Sequence, residues 1–123
     1  MSETSTGQPS AQRVLALYAT MWRIRAFEEA AERASIEGLI MGAAHLSIGQ
    51  EAVAAGVCGN LRRSDLITST HRGHGHTLAK GADARAMMPE LFGRKGGTRD
   101  GEGGGMQRAH LPVRLLGAPR LVA

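Results

Sequence analysis

The residues best suited to chemistry lie in one run, Thr68-Ser69-Thr70-His71-Arg72-Gly73-His74-Gly75, followed at once by His76. An arginine carries a forked, permanent positive charge that matches phosphate oxygens. Histidines donate hydrogen bonds or move protons near neutral pH. Glycines let a backbone approach a ligand closely. Together they have the makeup of a diphosphate site with acid/base groups beside it. The alternative is a glycine-rich turn with solvated polar side chains. The spacing of His71, His74 and His76 also invites a metal reading. No matching cysteine or second ligand cluster accompanies them, so no metal ligand is assigned.

These residues must be positioned by their flanks. Leu66-Ile67-Thr68-Ser69 is a β-rich run and is expected to form a short, buried parallel strand. In α/β proteins, ligands collect at the carboxyl ends of such strands. A third helix should start within the histidine segment and run to Lys80 or Gly81. Upstream, Val14, Leu17, Met21, Ile24, Phe27, Ala31 and Ala34 recur every three or four positions. That period predicts a helix from Ala11 to about Glu37 with those residues on one face and Arg13, Arg25, Glu28, Glu29, Glu32 and Arg33 mostly on the others. Ser10 is its N-cap and Gly38 its C-terminal stop. A second helix is expected over 49–61, where Ala52, Val53, Ala55, Gly56 and Val57 permit close packing. Asp83 should cap a fourth, over 84–93, with Pro89 in its interior at a cost of about 3 kcal/mol unless the helix kinks. Residues 1–10 read as a disordered tail, 39–48 as a loop around Gly42 and His45, and 93–105 as a glycine-rich loop.

Composition narrows the function classes. The 123 residues suit one domain, residues 11–123, with 42% apolar residues but only 3% aromatic ones, so the core is built from small aliphatic side chains. The net charge is +4, with 15 basic residues against 11 acidic. Aromatic stacking residues and recognisable binding motifs are missing, so nucleic acid is not an expected partner. No stretch is long and apolar enough to span a bilayer, and the polar start does not read as a signal peptide, which makes the cytoplasm the expected compartment. The single cysteine, Cys58, lies among Ala, Val and Gly and reads as a small buried hydrophobe.

Several motifs, taken in order, resemble a known family. They are Arg23-Ile24-Arg25-Ala26-Phe27-Glu28, Gly38-Leu39-Ile40, His45-Leu46-Ser47-Ile48-Gly49-Gln50-Glu51-Ala52, Asp65-Leu66-Ile67-Thr68-Ser69, His71-Arg72-Gly73-His74-Gly75-His76 and Glu90-Leu91-Phe92-Gly93-Arg94-Lys95-Gly96-Gly97. Their order and spacing resemble the alpha subunits of thiamine-diphosphate-dependent pyruvate, branched-chain 2-oxo acid and acetoin dehydrogenase complexes, over about residues 13–118. The wording around His71 is most similar to the acetoin type. The resemblance implies an α/β fold: the N-terminal part of a thiamine-diphosphate-binding domain, mostly helical, with a short parallel strand and a Gly-rich loop. It implies that Arg72 and His71 contact the cofactor diphosphate, that His45 lies near cofactor and substrate, and that His74 lines the active-site channel; the alternative for His74 is a structural hydrogen-bonder that holds the loop. It implies a beta subunit, which supplies the glutamate that activates the cofactor ring, and a lipoyl-bearing acyltransferase component as partners.

The chain also departs from the family pattern. Gly101-Glu102-Gly103-Gly104-Gly105-Met106-Gln107 stands where members have Gly-Lys-Gly-Gly-Ser-Met-His. A glutamate there opposes an anionic cofactor, and Gln107 cannot carry a proton as imidazolium does. The family's metal motif, Gly-Asp-Gly followed by an asparagine, is missing, and the only asparagine is Asn60. The expectation is therefore an N-terminal fragment that is inactive by itself and shows no thermal shift with thiamine diphosphate and Mg²⁺. The alternatives are one half of a split alpha subunit and a non-catalytic module that pairs with a beta subunit through residues 14–34 and 49–61. The substrate, whether acetoin, pyruvate or a branched-chain 2-oxo acid, is not legible.

Overall fold

A computed structural model of the chain describes residues 7–40, 42, 44–95 and 115. Within them lie four helices, α1 (Ala11–Ile36), α2 (Glu51–Gly59), α3 (Gly73–Ala79) and α4 (Ala84–Leu91). Each falls where the sequence pattern places it. The glycine-rich segment 96–105 and the first six residues lie outside the described residues.

α1 begins as expected, with the Ser10 hydroxyl accepting from the Arg13 amide at 3.2 Å. It ends in a Schellman turn: Gly38 adopts φ +74°, and the Gly38 and Leu39 amides donate to Ser35 and Ala34 carbonyls at 3.0 and 2.9 Å. Only the second half of its apolar stripe is interior. Ile24, Phe27, Ala31 and Ala34 are buried, whereas Leu17 and Met21 are half-buried and Val14 is exposed. Leu15, Tyr18 and Trp22 stand exposed on the opposite side of the helix. The most marked departure is Glu28. Expected among the outward charges, it is fully buried.

α2 packs on α1 and α3 through Ala54, Ala55 and Cys58. Arg13 of α1 donates to the Gly59 carbonyl and to Asn60 Oδ1, at 3.2 and 2.7 Å, and so closes the end of α2. The Arg25 guanidinium donates to Glu51 at 2.6 Å, and the Gly49 amide donates to the same carboxylate oxygen at 3.1 Å. These bonds, the arginine first, hold the Glu51 carboxyl below its ordinary pKa.

α3 is fixed at its C-terminal end by two basic side chains. Arg23 donates to the Leu78 and Ala82 carbonyls at 3.2 and 2.6 Å, satisfying groups at its C-terminus. The Lys80 ammonium, almost wholly buried, donates to the Arg62 and Asp65 carbonyls at 2.8 and 3.0 Å, which secures the polar turn before the histidine segment. α4 is capped by Asp83, whose carboxylate accepts from the Arg85 amide at 3.0 Å. Pro89 stands in its last turns, and the Pro89 carbonyl is satisfied by the Arg94 amide at 3.0 Å.

The described residues are mostly helical. Among the described residues, Leu66–Ser69 does not pair along its length. A single parallel bridge joins Ile67 to Leu115, and Leu115 is fully buried in the core with Ile24, Phe27, Leu78, Met87 and Leu91. Leu115's neighbours lie outside the described residues, so the expected short parallel strand is shown only as this one bridge.

Candidate functional site

The histidine segment straddles the start of α3, with Arg72 as the residue before the first helical position. That boundary sends its side chains to different places. Arg72 lies across the loop that precedes α2. Its Nη1 donates to the Leu46 carbonyl, and its own carbonyl accepts from the Ser47 hydroxyl at 3.2 Å. These two bonds bring residue 45 beside residue 71. The His45 and His71 rings meet edge to face, with centroids 4.8 Å apart at 78°. His71 is exposed, and His45 and Arg72 are half-buried.

The approach of the two segments depends on Gly75. A Cβ there would lie 3.1 Å from Ser47 Oγ and 3.3 Å from Ala54 Cβ. The glycine thus serves helix-to-loop packing.

His74 turns inward. It is fully buried, its Nδ1 lies 3.1 Å from Glu28 Oε2, and its ring meets the edge of Phe27 with centroids 5.8 Å apart. Glu28 Oε1 and His74 Nε2 have no hydrogen-bond partner. His76 takes a third direction, with Nδ1 2.6 Å from the hydroxyl of buried Ser69. Burial holds His76 below its ordinary pKa, so its ring is neutral near pH 7. Cys58 is buried and free, and desolvation raises its thiol pKa, which makes it a weak nucleophile.

The structure thus gathers His45, His71 and Arg72 and places His74 in the interior. Two imidazole rings and a guanidinium at one rim, with no carboxylate among the described residues bonded to any of them, form a donor-rich surface that suits an anion. The described residues contain no group of three His, Cys, Asp or Glu side chains fit to hold a metal ion. A depression of about 170 Å³, lined by Tyr18, Met21, Trp22, Arg25 and Glu51, lies elsewhere and includes none of the three.

Sequence reasoning missed Glu28. The signal was present: Ile24, Phe27, Glu28 and Ala31 follow the i, i+3, i+4, i+7 pattern of one helical face, so the carboxylate belongs to the buried stripe.

A family model described as "Dehydrogenase E1 component" matches residues 19–117. The acetoin:2,6-dichlorophenolindophenol oxidoreductase alpha subunits of Bacillus subtilis and Cupriavidus necator are 46% and 45% identical, over 90% and 87% of this chain and 33% and 32% of their own lengths. The pyruvate dehydrogenase E1 component alpha subunit of Rhizobium meliloti is 47% identical over 75% of this chain and 26% of its own length. The chain thus spans about a third of the acetoin-type relatives it matches. A family match over residues 19–117, joined to relatives 45–47% identical over most of the chain, shows that this chain belongs to the dehydrogenase E1 component family.

Proposed function

We propose that the chain serves as the N-terminal part, residues 11–123, of a thiamine-diphosphate-dependent dehydrogenase alpha subunit, working in the cytoplasm on a 2-oxo acid or acetoin. In this reading Arg72 and His71 take the cofactor's diphosphate and His45 faces cofactor and substrate. The observation that carries it is the junction of the two segments, where Arg72 bonds to Leu46 while His45 and His71 stack edge to face. The donors there fit a diphosphate: a guanidinium forks onto phosphate oxygens and imidazole N–H groups add hydrogen bonds. When bound, thiamine diphosphate supplies the carbanion chemistry, and the protein contributes binding and orientation. Arg72 would hold the anionic end, its direction set by the Leu46 carbonyl. His45, half-buried beside His71, is placed to hold or move a proton.

The rest of the reading concerns partners. The acyl acceptor would be a lipoyl group on an acyltransferase component, and a beta subunit would complete the site. Two of the exposed apolar residues of α1, Tyr18 and Trp22, are of types enriched at protein interfaces and favour such pairing. Co-expression with a beta subunit of the family should then yield a complex that purifies together, and replacing both aromatics by serine should abolish it.

The decisive experiment titrates the full chain with inorganic pyrophosphate, followed by amide shifts in NMR. This half-site should bind with Kd of about 1 mM, without need of Mg²⁺ and more weakly at high salt. Arg72→Ala should remove saturable binding. Equal binding by the variant would refute the assignment.

A further inference from the structure

The anion-binding turn is tied down on both sides, and one of the ties has no role in the reading above. On the outer side, Ser47 and Leu46 hold the backbone and side chain of Arg72. On the inner side, two residues further on, His74 is bonded to Glu28 at 3.1 Å in a wholly buried environment. Each of the two side chains has one polar atom with no partner, Glu28 Oε1 and His74 Nε2. Their mutual bond is thus the polar anchor that each depends on. Buried groups in this condition hold their geometry strictly, because breaking the bond leaves both desolvated and unsatisfied. The Phe27 edge closes one side of the His74 ring. The Thr77 hydroxyl donates to the Gly73 carbonyl at 2.7 Å and stiffens the same first turn of α3. A displacement of His74 therefore carries Arg72 and His71 with it, since only Gly73 intervenes.

We propose that Glu28 is a positioning residue: through His74 it fastens the first turn of α3 to α1 and so sets the direction of the His71–Arg72 turn toward its anion. This rests on the assignment of that turn to a diphosphate. Glu28 touches no ligand itself. It acts as a rigid brace on the group that does. A carboxylate that merely stabilised the core would change the melting temperature and leave anion affinity untouched at temperatures where the protein is folded.

The test uses the full 123-residue chain, isotopically labelled, with Glu28→Ala and Glu28→Gln. Two readouts are followed at a temperature where circular dichroism shows full helix content: the nuclear Overhauser contact between the His45 and His71 rings, and pyrophosphate affinity. Glu28→Ala should lose the ring contact and weaken affinity about tenfold, because small misplacements of a binding group are costly. Glu28→Gln keeps an acceptor at the same reach, and should restore the contact and bring affinity to within about threefold of the parent. A folded Glu28→Ala protein with the parent's ring contact and affinity would overturn the proposal. If that variant does not fold, Glu28→Asp, which withdraws the carboxylate by one methylene, decides in its place on the same criteria. If the parent chain keeps the ring contact but does not bind pyrophosphate, the diphosphate assignment fails. The ring contact in the variants then still decides whether Glu28 directs the turn.

Discussion

His71 and His74 lie in one short segment with a single helix boundary between them, and they occupy opposite environments. His71 is exposed, and its ring meets another histidine from a distant loop. His74 is fully buried, and its ring meets a carboxylate and a phenyl edge. The cause is local geometry. His71 precedes the first turn of α3, where no helical face constrains it. His74 lies within that turn, on the face that also buries Thr77 and Leu78. One residue type thus occupies two settings: the outer histidine is open to solvent, and the inner one is bonded to Glu28 in the core. The buried member should govern stability and the exposed member binding.

This division can be broken from its heavier side first. His74→Ala leaves the Glu28 carboxylate buried without its partner and should cost about 3 kcal/mol in urea unfolding. A loss below about 1 kcal/mol would mean that the pair is not truly sequestered. Gly75→Ala drives a methyl group toward Ser47 and Ala54 and should cost about 1–2 kcal/mol, by the logic of overpacking. It should also separate the His45 and His71 rings. Tightened binding in that variant would show that the two segments are not held by close packing.

Acid should sharpen the comparison further. Burial depresses the His76 pKa in the folded state, so the unfolded chain takes up its proton first. The stability that depends on neutral His76 is complete above its ordinary value of 6.5 and is lost as pH falls through the lower folded value. His76→Asn should flatten the decline that begins near that pH, and an unchanged slope would assign it to other groups. The smallest effect belongs to His71→Ala. The exposed ring should change stability by less than about 0.5 kcal/mol, while weakening pyrophosphate binding.

The helices were legible because their signals are local. Ser10 and Asp83 cap α1 and α4 as their types demand, and Gly38 stops α1. Two kinds of feature were not legible. Glu28 was sorted by its charge, although its position in the repeat placed it inside. Its partner lies 46 positions away and has no local trace. The meeting of His45 and His71 is equally non-local: spacing alone gave no reason to join them, and only the family resemblance set both beside one cofactor. Leu66–Ser69 has the composition of a strand, and the segment it would pair with lies outside the described residues except for Leu115. The described residues provide one bridge, at Ile67.

The first half of α1 has a further consequence. Leu15, Tyr18 and Trp22 are exposed on one side of it, and Leu17 and Met21 are only half-buried on the other. Colloidal behaviour will follow that ridge: salting-out anions such as sulfate should promote clustering by strengthening apolar contact, and a single polar replacement at Trp22 should widen the range of concentrations over which the chain stays dispersed.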